Sequence, residues 1–270
     1  MTDLLTIQPP VRGVRSAPLS PEVVKPKILT IDIETSPNLA HVWSLWDQNV
    51  GLTQLMETGE MMSFAAKWYG QPDVMFYSNH HDGHETMVRR AFELQSEADV
   101  LVHFNGRSFD VKHLHREYLL GGYGPPAPHK DVDLLLIAKA TFKFVSNKLD
   151  HLADQTGLGR KTQHTGHQLW VDCLKGDKDA WALMREYNIH DVVLTEQLYD
   201  IFRPWIRTHP HLGELAAPTK MSCNHCGSTD LRRDGVHQAV LLTYERFQCN
   251  SCLGWVRAGK GTRIASARGI

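Results

Sequence analysis

Apolar residues along the chain fall into short continuous runs early and into helically spaced stripes later. KILTIDIE (27–34) is a β-branched apolar run of the kind that fills a buried central strand. MSFAAKWYG (62–70) and VMFYS (74–78), with Gly70 to Asp73 between them, predict a hairpin, so three antiparallel neighbours are expected. HETMVRRAFELQSEA (84–98) places Met87, Ala91, Phe92 and Leu94 at helical spacing and leads into VLVHF (100–104), a predicted parallel strand. FDVKHLHREYLL (109–120) predicts a helix stopped by Gly121 and Gly122. Further helices are predicted for DLLLIAKATF (133–142), KLDHLADQTG (148–157) and AWALMREYNIHDVVLTEQLYDIF (180–202). The order β-β-β-α-β-α followed by helices implies an α/β domain built on a mixed sheet.

Punctuation between these runs suggests how the chain is divided. Residues 1–24 carry proline, serine and glycine without periodicity and read as a flexible arm; 25–210 hold the α/β domain, 211–220 a linker, 221–260 a cysteine-rich unit and 261–270 a basic tail. With 42% hydrophobic and 22% charged residues over 270 positions, and no run of about 18 apolar residues, membrane-spanning, collagen-like and wholly disordered classes are excluded. The first residues lack a basic start followed by an apolar stretch, so no signal peptide is expected and a reducing cytoplasm is. A net charge of −1 conceals an acidic middle between basic ends: 28–213 carry 17 basic and 24 acidic side chains, whereas 214–270 carry 8 and 4. Such a distribution suits metal-binding acids and a nucleic-acid-binding end, and equally a solvated charged surface.

Three sites along the α/β region carry candidate chemistry. Asp32 and Glu34 lie two apart in a predicted strand and leave the same face, where they can converge on one cation or enter solvent at a strand end. Asp110 follows a strand and a glycine-containing turn at the start of a helix, a favoured place for a site as well as for a helix cap; Asn105 in that turn is a second polar candidate or a turn residue. Tyr187 and Asp191 are four apart, on one face of the last long helix.

In this order and spacing, ILTIDIETSP, LVHFNGRSFDVKHL and YNIHD resemble the three exonuclease motifs of the DEDD superfamily. The resemblance spans roughly 28–203 and implies a ribonuclease-H-like fold, a mixed sheet flanked by helices, that removes nucleotides 3′ to 5′. Asp32 and Glu34 match the first motif, Asp110 the second and Asp191 the third. Tyr187, four before Asp191, matches the tyrosine branch, whereas Glu186 stands where the other branch has histidine. SNKLDHLADQTGLG (146–159) is similar to the segment before the third motif in family-B polymerase proofreading domains and their free-standing relatives. With the cysteine region appended, the chain looks most like stand-alone exonucleases of bacteriophages and some bacteria, which would put it in a host cytoplasm.

The resemblance implies two Mg²⁺ or Mn²⁺ ions held by the four acids, the pair that stabilises attacking and leaving oxygens of a phosphodiester. It implies that Asp32 bridges the ions, that Glu34 and Asp191 hold the nucleophile side, that Asp110 supports the other partly through water, and that Tyr187 orients the attacking water. Asn105 matches a substrate contact; Phe109 would pack on the terminal base or sugar, or in the core, and Lys148 would meet a phosphate. The expected substrate is single-stranded DNA with a free 3′ end, in replication, proofreading or repair. Trimming of RNA and a non-catalytic nucleic-acid-binding adaptor are the alternatives.

Cys223-x-x-Cys226 and Cys249-x-x-Cys252, separated by 22 residues, have the spacing of a tetrahedral Zn²⁺ site, and the strand-like HQAVLLTYERFQ (237–248) between them predicts a zinc ribbon. Its ligand set is closed, so the zinc is structural, and so small a unit depends on it for folding. Arg232, Arg233, Arg246, Arg257, Lys260 and Arg263, interleaved with Tyr244, Phe247 and Trp255, suit a nucleic-acid backbone, a replication partner or solvent. His80, His81 and His84 flank Asp82-Gly83 and read as a solvent-exposed turn; His164 and His167 in RKTQHTGHQLW have two open readings, near the active cleft or in a loop, and Cys173 reads as a packing thiol.

Overall fold

The computed structural model of the protein describes residues 26–163, 165–215 and 220–263. The arm expected over 1–24, His164, part of the expected linker and residues 264–270 lie outside them.

β1 (Ile28–Thr35) is buried continuously over its first four residues because both its faces are covered. Leu29, Ile31 and Ile33 join one apolar cluster, while Ile28 joins the other and Asp32 and Glu34 follow on that second side. Between β1 and the next sheet strand, β2 (Leu39–Ala40) and β3 (Leu55–Glu57) pair in a small ribbon of their own. This excursion leaves Trp43 and Trp46 exposed at 96% and 81%. β4 (Met61–Trp68) and β5 (Met75–Ser78) form the expected hairpin. A short α1 (Asn79–Asp82) and α2 (His84–Glu97) then lead to β6 (Val100–His103), which pairs parallel with β1.

α3 (Asp110–Leu120) ends at Gly121, as expected. β7 (Lys130–Asp133) is a strand that the polar sequence KDVD does not announce; it pairs parallel with β6 and completes the sheet order β5-β4-β1-β6-β7. Three antiparallel strands are thus continued by parallel ones. α2 and α3 cover one face through Met87, Ala91, Leu114 and Tyr118. The other is covered by α4 (Leu134–Thr141), α5 (Leu149–Gln155), α6 (His167–Leu174) and the 25-residue α7 (Lys178–Phe202). Ser63 and Ala65, opposite Glu34 and Asp32 on β4, are small enough to let α7 approach the sheet beside the acids.

After α8 (Leu212–Leu215), the cysteine region forms a separate antiparallel sheet from β8 (Leu231–Gln238), β9 (Leu242–Cys249), β10 (Trp255–Arg257) and β11 (Thr262–Arg263). The expected hairpin is there with its turn at residues 239–241, so the 237–248 run is split between two strands. Among the described residues, no helix is long and apolar enough to cross a membrane.

Candidate active site

Oxygens of Asp32, Glu34 and Asp191 lie within 4.8 Å of one another, although the residues come from the central strand and from a helix more than 150 positions later. Asp110, 3% exposed, stands beside this trio; its Oδ1 accepts the Ile33 N–H at 3.0 Å, which ties α3 to β1 between the two first-motif acids. Its carboxylate thus binds the neighbouring strand as well as its own N–H in the first turn of α3. Asn188 donates from Nδ2 to Asp32 Oδ2 at 2.7 Å and to its carbonyl at 3.2 Å, and accepts from Ser63 Oγ at 3.2 Å. The Trp170 indole donates to Glu34.

Lys161 is the cation in this centre. Its Nζ lies 2.5 Å from Asp191 Oδ2 and 3.1 Å from the Tyr187 hydroxyl, and 4.9 Å from the centre of the Tyr187 ring. Neither Lys161 nor Trp170 emerges from the sequence, because each sits among residues with no motif spacing, and Asn188 lies inside YNIHD at a position the motif match does not use. A buried polar residue one position after Tyr187, on an otherwise apolar helix face, and a serine in the apolar strand MMSFAAKW are the signals that point to Asn188.

Electrostatics make the cluster costly as it stands. Burial, then the charges of Asp110, Asp191 and Glu34, push Asp32 well above the usual carboxylate range. Burial and Asp191 push Glu34 up to about 8, against Lys161 and Trp170, and burial pushes Asp110 up to about 6 against the Ile33 N–H. Asp191 is raised by burial despite Lys161. Burial and the neighbouring Asp191 and Glu34 also hold the Tyr187 phenol above its ordinary value. One ammonium cannot balance four carboxylates, and Asp191 Oδ1 is buried without a hydrogen-bond partner. An orphaned hard oxygen among crowded acids fits a hard divalent cation.

These shifts give a signed expectation. A carboxyl whose folded pKa lies above its unfolded value near 4 binds its proton more tightly when folded, so stability is full below about pH 4 and lost as pH rises to about 8. Without added divalent cation, melting temperature falls from about pH 5.5 to pH 8, and the increase produced by Mg²⁺ is larger at the higher pH. An equal Mg²⁺ increase at both pH values contradicts this.

The loop before α3 is held by close packing. Asn105 adopts φ +71°, and a Cβ on Gly106 would stand 2.4 Å from the buried His103 ring, whose Nδ1 accepts the Gly106 N–H at 3.1 Å. Gly106→Ala is expected to cost about 1–3 kcal/mol, read from the urea midpoint. Phe109 is exposed at 38% and leans on His113 with ring centres 4.5 Å apart, so of its two readings the core one is not met. Asn105 Oδ1 accepts from Ser108 Oγ at 2.6 Å, and Lys148 is exposed before α5, where among the described residues its side chain has no contact with the acids. From Ser36 and Pro37 onward, a cleft of about 880 Å³ opens between the β2–β3 excursion and α6.

Among the described residues the histidines near residue 80 form no ligand cluster, although the His80 and His81 rings meet edge to face 4.8 Å apart. His80 stacks on Trp181, His81 Nδ1 meets Ser78 Oγ at 2.7 Å, and His84 pairs with Glu117 at 3.3 Å. His80 and His81 are exposed as expected, but on the single turn of α1 before Asp82-Gly83, while half-buried His84 starts α2. Exposed His167 starts α6, and Cys173 is buried in it, where burial pushes its thiol up to about 11.

Sγ atoms of Cys223, Cys226, Cys249 and Cys252 also lie within 4.8 Å of one another. The nearest pairs are 3.7 and 3.6 Å apart, far from a disulfide bond. Each pair sits in the same kind of turn: Gly227 N–H donates to the Cys223 carbonyl at 2.8 Å, and Leu253 N–H to that of Cys249 at 2.9 Å. Four convergent sulfurs from two turns are compatible with a small zinc ribbon.

A model of the RNase_H superfamily matches residues 51–203, more than half of the chain. The chain belongs to the RNase_H superfamily. No curated protein matches it. The match begins after Asp32 and Glu34, and the sheet supplies the missing strand by setting β1 between β4 and β6. Membership of the RNase_H superfamily supports a nuclease-type hydrolase that binds nucleic acid, in a group whose nucleases commonly use divalent metals.

Proposed function

We propose that this RNase_H superfamily chain is a metal-dependent 3′–5′ exonuclease acting on single-stranded DNA in replication, proofreading or repair. The observation that carries the reading is the convergence of Asp32, Glu34 and Asp191, with Asp110 behind them and Tyr187 one turn before Asp191. Asp32, Glu34, Asp110 and Asp191 would hold two Mg²⁺ or Mn²⁺ ions, which when bound supply stabilisation of charge on the attacking and leaving oxygens of the phosphodiester.

The chain's own groups prepare that centre. Asn188 fixes the Asp32 carboxylate, Trp170 fixes Glu34, and the Ile33 N–H fixes Asp110, so the acids lose little freedom when they are engaged. Tyr187 stays protonated at neutral pH and therefore positions the attacking water by hydrogen bonding instead of removing its proton. Asn105 and exposed Phe109 are assigned to the terminal nucleotide, with Lys148 as a phosphate contact further out. The four cysteines are assigned to one structural Zn²⁺, and the division into arm, 25–210 domain, linker, ribbon and tail is retained as part of this reading.

Tyr187→Phe is expected to lower kcat by about ten- to a hundredfold with little change in KM, since a positioning bond is lost and the acids stay. The substrate test sets linear single-stranded DNA against its own circle and against single-stranded RNA of matching sequence, in Mg²⁺ and in Mn²⁺. Loss of the linear DNA alone is expected. Digestion of the circle would overturn the exonuclease, and preference for RNA would replace the substrate.

A further inference from the structure

Two clefts away from the acids meet at a single arginine. One, of about 470 Å³, lies between β7, α4 and the chain after α7; the other, of about 550 Å³, separates that same stretch of chain from the ribbon, and Arg207 lines both. Arg107 lines the near end of the first cleft. Its N–H donates to Asp133 Oδ2 at 3.2 Å beside that of Asn105, which places this end in the loop carrying Asn105 and Phe109.

The lining joins cations to exposed rings. Trp205 is 60% exposed in the first cleft and Trp255 47% exposed in the second, with the Arg246 guanidinium 4.7 Å from the Trp255 ring centre. Arg257 lies 3.8 Å from the Tyr244 ring centre. Among the described residues Arg207 and Arg257 make no ion pair, and Arg107 faces Asp131, whose carboxyl the His103 hydrogen bond lowers and the Arg107 charge helps to lower. The acids nearby are largely committed: Asp131 lies 3.4 Å from His103, and Asp133 caps α4 through Leu135 N–H at 3.1 Å, which leaves Glu214. On the floor of the second cleft, His225 is 3% exposed, and its Nδ1 and the Ser222 Oγ have no hydrogen-bond partner.

Arg246 is held by Asp234 at 3.4 Å, whereas Arg207 makes no ion pair among the described residues; exposed guanidinium groups and indoles that line the same clefts are the chemistry that holds a single-stranded nucleic acid, through phosphates and through stacked bases. We infer that the two clefts form one track for single-stranded nucleic acid, running from Arg107 past Trp205 and Arg207 to Trp255 and Arg257 on the ribbon. The inference rests on the proposed exonuclease function, in which the 3′ end sits at the acids and the track holds the strand upstream of it. Asp191 is eleven residues from Phe202 along α7, about 16 Å at 1.5 Å per residue, so only a strand several nucleotides long reaches Arg207.

The test is the fluorescence anisotropy of 5′-fluorescein-labelled (dT)20 with the full, zinc-loaded chain, without Mg²⁺ or Mn²⁺, over a range of salt. Arg207→Glu with Arg257→Glu is expected to weaken binding at least tenfold and to reduce the slope of log K against log[salt] by about 1.4, roughly 0.7 for each lost phosphate contact. Trp205→Ala with Trp255→Ala is expected to weaken binding with the slope unchanged. Both arginines are exposed, and equal zinc content and melting temperature certify the fold. Wild-type affinity and slope in the arginine variant, or no binding by the wild type, overturn the track. If no polymer is cleaved but charge reversal still removes (dT)20 binding, the exonuclease fails and the track stands. Cleavage with unaltered binding and KM in the arginine variant means the opposite: the exonuclease stands and the track fails.

Discussion

Asp32→Ala is expected to reduce cleavage at least about a thousandfold, some 4 kcal/mol of transition-state stabilisation, in Mg²⁺ and in Mn²⁺ alike. Asp32 is the acid on which the others converge: Asp110, Asp191 and Glu34 all raise it, and Asn188 spends its amide on it. Its loss removes charge from a crowded site and leaves the Asn188 amide short of one acceptor, a cost of about 1–3 kcal/mol that relief of repulsion offsets. Melting without added divalent cation is therefore expected to change little, while the increase produced by Mg²⁺ disappears. Asp191→Ala gives the same loss of activity and in addition strands Lys161 without its 2.5 Å partner. Substrate still binds in both variants, because the arginines and exposed rings are elsewhere.

The second large effect belongs to the cysteines. Cys223→Ser with Cys249→Ser is expected to lower zinc from one equivalent per chain to none and to unfold the ribbon, since structural zinc contributes apparent binding energies of about 10–16 kcal/mol to units of this size. Cys223 and Cys249 are the two fully buried sulfurs, one from each turn, so the pair disables both halves of the site. Burial raises the Cys249 thiol, but the N–H groups of Cys252 and Ser251 outweigh it and hold it at about 7, close to the ionised form a metal requires. Atomic absorption gives the metal content, and proteolysis after about residue 210 reads the unfolding. Digestion of short oligonucleotides is expected to persist, with weaker binding of long ones. Retained zinc in the double variant contradicts the assignment.

What the sequence discloses follows the strength of each local signal. β1 and the β4–β5 hairpin are legible as continuous apolar runs, and α2, α3 and α7 by the helical spacing of their apolar residues. β7 is hidden because its inward Asp133 is polar; that carboxylate is satisfied by four neighbouring N–H groups that only the fold assembles. α6 is hidden for a different reason: only Leu169 and Cys173 of its eight residues are buried, too few to show a stripe.

The candidate site divides in the same way. The four acids and Tyr187 are readable as spaced motifs, and the thiols as paired turns. Lys161 and Asn188 act through three-dimensional neighbours alone: one approaches from the loop before α6, the other completes a bond between β1 and β4. Gly106 is intermediate, since a glycine in a turn is visible but the His103 ring that forbids a side chain there is not.

The central claim is that these acids remove nucleotides one at a time from a 3′ end. A time course on single-stranded DNA labelled at its 5′ end, with and without Mg²⁺ and with Asp32→Ala alongside, tests it most directly. A Mg²⁺-dependent ladder that shortens step by step from the 3′ end, absent in the variant, is the predicted result. Immediate release of labelled mononucleotide, a few internal fragments, or equal cleavage by Asp32→Ala would contradict it.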